Sequence, residues 1–134
     1  MARPLRVLVV DDNHLILELL RLILEGAGYL PVPVDSGALA LEIVQEASPD
    51  LCIVDEVMPG IRGSELIRTL RRSRDPRVAR VPVIGISGRA GAARELLAAG
   101  ASAFVPKPVE ERAILTAVAA IAGEARAADG GLRL

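Results

Sequence analysis

The sequence is almost devoid of aromatic residues: Tyr29 and Phe104 are the only two, and tryptophan is absent. That removes the stacking platforms on which single-stranded nucleic-acid binders rely, and it requires an aliphatic core. Cysteine is equally scarce. Cys52 stands alone inside the apolar run 51–54, which excludes an internal disulfide and reads as a buried structural thiol in a reducing compartment. There is no excess of either charge: the formal net charge is −1, and the arginines are dispersed apart from a cluster over residues 68–80. No basic field is available for a nucleic-acid backbone, and the cluster reads as a solvated helix end and loop. Long apolar runs are missing too. The first residues lead into a short hydrophobic stretch that ends at Asp11, too little for a signal-peptide core or a membrane span. Neither nucleic acid nor membrane is therefore an expected partner, and a cytoplasmic location is expected.

With 134 residues there is room for one domain, and 51% apolar against 25% charged residues marks a chain that folds by burial. Short aliphatic runs alternate with longer stretches of helical spacing, the pattern of a parallel sheet wrapped by helices. Strands are expected near residues 6–10, 30–34, 51–54, 81–86 and 102–105. Helices are expected near residues 13–25, 36–46, 63–72, 90–98 and 110–122, with Ser36 as an N-cap and Gly100 as a C-terminal cap. The second strand carries Pro31 and Pro33, two apart, which removes N–H donors from one side. That side must face solvent, so the strand is an edge, as in the doubly wound α/β order 2-1-3-4-5. Residues 5–122 thus form the domain, and the Ala- and Gly-rich tail 123–134 is expected to fray.

In open parallel sheets, ligands bind outside the carboxyl ends of the strands. There the first strand delivers Asp11 and Asp12, the third Asp55, the fourth Ser87 and the fifth Lys107. Three carboxylates in a poorly hydrated cleft repel one another, and a hard oxygen-ligated cation relieves this; Mg2+ is the default. Lys107 answers the remaining charge. It is the only lysine among 16 basic residues, which hints at a task suited to a compact ammonium rather than a guanidinium fork. An aspartate flanked by a cation and an ammonium can act as a nucleophile towards phosphorus, with Ser87 donating a hydrogen bond to the incoming group.

These residues, taken in order, resemble the receiver domains of two-component response regulators over nearly the whole chain. The resemblance is carried by Asp11-Asp12, by Asp55-Glu56-Val57-Met58-Pro59-Gly60, by Gly85-Ile86-Ser87-Gly88, and by Gly100-Ala101 followed by Phe104-Val105-Pro106-Lys107-Pro108. It implies a flavodoxin-like, CheY-like fold and a bacterial, stand-alone regulator. It implies that Asp55 is phosphorylated by a histidine kinase or histidine phosphotransfer protein, and that Asp11, Asp12, Asp55 and the Val57 carbonyl hold Mg2+. It also implies a cis peptide between Lys107 and Pro108, and a switch in which Ser87 moves towards the phosphoryl group while Phe104 turns inward. Phe104 lacks the phenolic hydroxyl of tyrosine, so any hydrogen bond of an outward ring is unavailable.

Several positions depart from the family pattern. Only 20 positions separate Ser87 from Lys107, so the fourth helix or the loop before it looks shortened. Glu56 follows the phosphoacceptor where an apolar residue is common, and is expected to point to solvent. The first helix has more leucine than one buried stripe needs: Ile16, Leu19, Leu20, Ile23 and Leu24 form the stripe, and Leu15 and Leu22 widen it. Leu15 and Leu22 are read either as part of the surface that docks the kinase or phosphotransfer protein, or as partly buried under loops. His14 reads as a first-turn surface residue. The last helix, with little charge and many small residues, allows a weak dimer as well as a monomer. Taken singly, Asp11, Asp12 and Asp55 are ordinary turn and cap residues. A phosphorylation-independent interaction module with the same fold is the alternative function. A phosphohydrolase is disfavoured because the position two beyond Asp55 holds Val57 instead of an acid. The expectation is a regulatory phosphoacceptor and not a turnover enzyme.

Overall fold

The structure, a computed structural model, describes residues 3–130, with side chains through Glu124. Five strands, β1 (Arg6–Val10), β2 (Leu30–Val34), β3 (Leu51–Asp55), β4 (Val83–Ser87) and β5 (Ala103–Pro106), form one parallel sheet in the order β2-β1-β3-β4-β5. Between and after them run α1 (His14–Gly26), α2 (Gly37–Glu46), α3 (Gly63–Arg71), the single turn α4 (Pro76–Ala79), α5 (Ala92–Ala99) and α6 (Glu111–Gly130). Among the described residues no helix is long and apolar enough to cross a membrane.

The strand period of two divides the core into two layers. Leu8, Val10, Cys52, Val54 and Val83 face the layer that also holds Ala40, Leu66, Leu70 and Leu96 of α2, α3 and α5. Val7, Val9, Leu51, Ile53, Ile84 and Ile86 face the layer that holds Leu17, Leu20, Leu24, Ile114 and Val118 of α1 and α6. The three central strands are thus continuous aliphatic runs, as a sheet covered on both faces requires. Gly85 lets α5 approach β4: a Cβ there would lie 2.8 Å from Leu96. Cys52 is buried and free, and burial pushes its thiol up to about 12.

The edge inferred from the prolines is where β2 lies, with Pro31 and Pro33 opposite Val7 and Val9 of β1. The helix ends also follow local chemistry. Asn13 caps α1, its Oδ1 accepting from Leu15 N at 2.9 Å, and Ser36 Oγ caps α2 by accepting from Leu39 N at 3.1 Å. Gly100 ends α5 in the left-handed region, at φ +116°.

Three expectations are corrected. In α1 the buried stripe is Leu17, Leu20, Ile23 and Leu24, and Leu19 is exposed. The segment 68–80 is not merely a solvated helix end: its Asp75-Pro76 pair caps and starts α4, and Arg71 turns inward. There Arg71 donates to the carbonyls of Ala79, Val81 and Gly100, tying α3 to the start of β4 and the end of α5. β4 begins at Val83, because Pro82 has no N–H to give the ladder. The last helix, α6, runs past Ala122 to Gly130, through a stretch in which alanine outweighs the helix-weakening Gly123. Residues 131–134 of the expected tail lie outside the described residues.

Candidate functional site

The sheet register brings the predicted residues together at its carboxyl edge. Val10 pairs with Val54, so Asp11 and Asp55 follow side by side; Asp55 pairs with Ile86, so Ser87 is next; Ser87 pairs with Pro106, so Lys107 comes after it. Asp11 and Asp55 are buried, at 0% and 3% exposure, while Asp12 lies exposed on the rim. Lys107 Nζ bridges the two buried carboxylates, 2.8 Å from Asp11 Oδ2 and 3.2 Å from Asp55 Oδ1. The backbone of Lys107 is fixed as well: its N–H donates to the Ser87 carbonyl at 3.0 Å, and the peptide to Pro108 is cis.

Burial of Asp55 and the neighbouring Asp11 carboxylate push its pKa up to about 6, against the opposing pull of Lys107 and the Val57 N–H. Burial works against the Lys107 ammonium, but Asp11 and Asp55 outweigh it and its pKa is raised. The cluster is thus short of positive charge even with its lysine in place. Asp11 uses Oδ1 to accept from Asn13 N at 2.9 Å, and Oδ2 faces the Lys107 ammonium. One oxygen from each of Asp11, Asp12 and Asp55 falls within 4.8 Å of the others. Three convergent carboxylates, two of them buried, answered by a single ammonium, fit a hard divalent cation.

The profile of the response regulator receiver domain matches residues 7–119. The chain belongs to this family. The receiver domain is 31% identical over 117 residues to the DNA-binding response regulator MtrA of Mycolicibacterium smegmatis, covering 86% of this chain but about half (49%) of MtrA. It is 28% identical to the polar-differentiation response regulator DivK of Brucella anthropi, covering 91% of this chain and 99% of DivK. Among solved structures, a response regulator from Chloroflexus aurantiacus superposes with a TM-score of 0.83 at 32% identity, covering 88% of this chain and 97% of the other.

The remaining residues singled out in the receiver sequence fall as follows. Ser87 is buried beside Asp55, and its Oγ accepts from Arg89 N at 3.1 Å. Phe104, on β5, is half-buried against the layer beneath α5. Val57 is exposed, immediately past Asp55 and Glu56. Leu15 and Leu22 are exposed, at 81% and 55%, so burial under loops is excluded. His14 is a surface residue whose Nε2 lies 3.2 Å from Asp35 Oδ2. The helix between Ser87 and Lys107, α5, has eight residues.

Glu56 is the clear correction. It is fully buried instead of pointing to solvent. Its Oε1 accepts from Ser64 N at 2.7 Å and its Oε2 from Ser64 Oγ at 3.1 Å, so the carboxylate caps the start of α3. A helix N-terminus has free N–H groups and a favourable dipole for such an anion, which is why burial is tolerated. Gly63 makes the approach possible: a Cβ there would lie 2.3 Å from the Asp55 carbonyl oxygen. The signal available in the sequence was the strand alternation itself, which aims Glu56 away from Asp55 towards α3.

Proposed function

We propose that this receiver domain is a phosphorylation switch of two-component signalling, in which Asp55 accepts a phosphoryl group from a histidine kinase or histidine phosphotransfer protein. The observation that carries the reading is Lys107 Nζ held between Asp11 and Asp55, with the Ser87 hydroxyl on the adjoining strand. An Asp55 oxygen forms the new O–P bond as the P–N bond to the donor imidazole breaks, and the imidazole leaves with the bonding pair. Lys107 neutralises the charge gathering on the phosphoryl oxygens, and Ser87 offers its O–H to one of them. Asp11, Asp12, Asp55 and the Val57 carbonyl would hold Mg2+, which when bound supplies further neutralisation at the same oxygens.

The chemistry stops at accepting and losing one phosphoryl group. Val57 stands where a phosphohydrolase would need a second acid, so the domain is a regulatory phosphoacceptor rather than a turnover enzyme. The exposed leucines of α1, Leu15 and Leu22, sit on the helix that follows Asp11 and Asp12, and form part of the surface for the phosphate donor. The protein acts in the cytoplasm, as a monomer or weak dimer, and passes its signal to another protein without contacting nucleic acid itself.

The test is the intact mass after incubation with acetyl phosphate, with and without Mg2+, for the wild type and Asp55→Asn. A Mg2+-dependent gain of one phosphoryl group, absent in the variant, is expected. No gain in folded protein that also fails to accept phosphate from phosphorylated histidine kinases would leave a phosphorylation-independent interaction module.

A further inference from the structure

Beneath the phosphoacceptor edge lies a second set of charges that the acceptor chemistry does not use. Arg89 stands two residues beyond Ser87, in the loop between β4 and α5. Its Nη2 donates to Glu95 Oε2 on α5 at 2.5 Å and lies 3.6 Å from Oε2 of the buried Glu56. Arg62, just before α3, adds a weaker contact to the same Glu95 oxygen at 4.0 Å. The side chain of Arg89 is therefore clasped between the residue next to Asp55 and the first turn of α5. Its main chain meanwhile holds the Ser87 hydroxyl, through the N–H to Oγ bond.

The two anchorages pull the same loop. A phosphoryl group on Asp55 adds charge and strong acceptor oxygens one residue from Glu56. It attracts the Ser87 hydroxyl, and any approach of that hydroxyl carries the Arg89 main chain with it. It also adds a second anion that competes for the Arg89 guanidinium, now held by Glu95 at 2.5 Å with Glu56 at 3.6 Å. The loop ends at Gly91, which occupies the left-handed region at φ +83°.

We propose that Glu56 and Glu95, acting through Arg89, are positioning residues that hold Ser87 and its loop in the resting arrangement, and that phosphorylation of Asp55 opens this clasp. The proposal rests on the phosphoacceptor reading and adds a restraint specific to this chain. Glu56 gives the clasp a fixed buried end, and Glu95 is the exposed, adjustable one. Because the clasp favours the resting state, weakening it favours the switched state.

The test uses Glu95→Gln, a substitution on the exposed end that leaves the acceptor residues and the buried Glu56 intact. Beryllium fluoride, a mimic of the phosphoryl group, is titrated in excess Mg2+ at low and high salt, following the amide signals of Ser87 and the guanidinium Nε signal of Arg89. Glu95→Gln is expected to bind the mimic roughly two- to fivefold more tightly at low salt, the range of partly exposed ion pairs, and the difference should close at high salt. The Arg89 Nε signal should move on binding in the wild type. A role confined to stability would alter the melting temperature and leave both mimic affinity and the Arg89 signal unchanged, which would overturn the proposal. Weaker binding by the variant would overturn it too. If neither protein binds the mimic, the clasp and the phosphoacceptor reading fall together, whereas equal affinities remove the clasp alone.

Discussion

Replacing Asp55 by Asn should stabilise the metal-free protein, and the way the gain depends on pH reveals its cause. The Asp55 carboxyl is held at about 6 in the folded chain against an ordinary value of 3.8. As pH rises through that window the unfolded chain releases the proton while the folded chain keeps it. The folded state then binds more protons, so stability falls with rising pH; the penalty is complete above about pH 6 and absent below the unfolded value. A shift of roughly two units is worth about 3 kcal/mol, already net of the attraction to Lys107. The carboxylate sits at the mouth of an open sheet edge, so solvent relaxation reduces this to about 1–3 kcal/mol. Asn is neutral at every pH and keeps an acceptor for the Val57 N–H, so it escapes the penalty. In EDTA at pH 7.5 the variant should melt about 3–10 °C above the wild type. The gap should shrink steadily between pH 6 and 4, and Mg2+ should narrow it at pH 7.5 by binding the wild type more tightly. A gap independent of pH, or a less stable variant in EDTA, would refute the reasoning that like charge and burial at this edge cost stability.

Three further outcomes follow from the geometry. Gly63→Ala places a Cβ 2.3 Å from the Asp55 carbonyl oxygen, so it should cost about 1–3 kcal/mol in denaturant melts and slow phosphorylation from acetyl phosphate by displacing the acceptor backbone. Leu15→Ser with Leu22→Ser should leave acetyl phosphate labelling unchanged while slowing transfer from a phosphorylated histidine protein; equal transfer rates would remove these leucines from the docking surface. Val57 has no polar group to orient an attacking water, so wild-type phosphoprotein should decay more slowly than Val57→Asn in a mass-spectrometric time course, and the reverse order would contradict this.

The acidic carboxyl edge of the sheet was legible in the sequence because two simple periodicities suffice to build it. Aliphatic runs of strand length fix where each strand ends, and in a parallel sheet all of those ends share one edge, so Asp11, Asp55, Ser87 and Lys107 converge whatever the details of the helices. The paired prolines were informative for a similar reason: a missing N–H is a property of the residue, not of its surroundings. Where the reading failed, the outcome depended on a distant partner. Leu17 and Leu19 are two residues apart on α1, and which of them is buried is decided by how α1 seats on β1 and β2. Arg71 looks like one more arginine of a basic cluster until α4 and the end of α5 present the carbonyls it binds. Cutting it back to Met should cost about 2–3 kcal/mol by leaving those carbonyls without their charged donor.

Glu56 shows the same dependence at the site itself. A carboxylate in an apolar run is costly to bury, and from residue type alone solvent is the better place for it. Strand alternation nevertheless forces it away from Asp55 into the interior, where the only inexpensive outcome is a set of donors already in place. Ser64 supplies two of them, because Gly63 lets α3 begin directly against the end of β3. Arg89 supplies the balancing charge from the neighbouring loop. The compensation ties the residue after Asp55 to the loop that carries Ser87. A substitution that reads as an anomaly in the sequence is, in the fold, the link through which charge at Asp55 can be felt by α5.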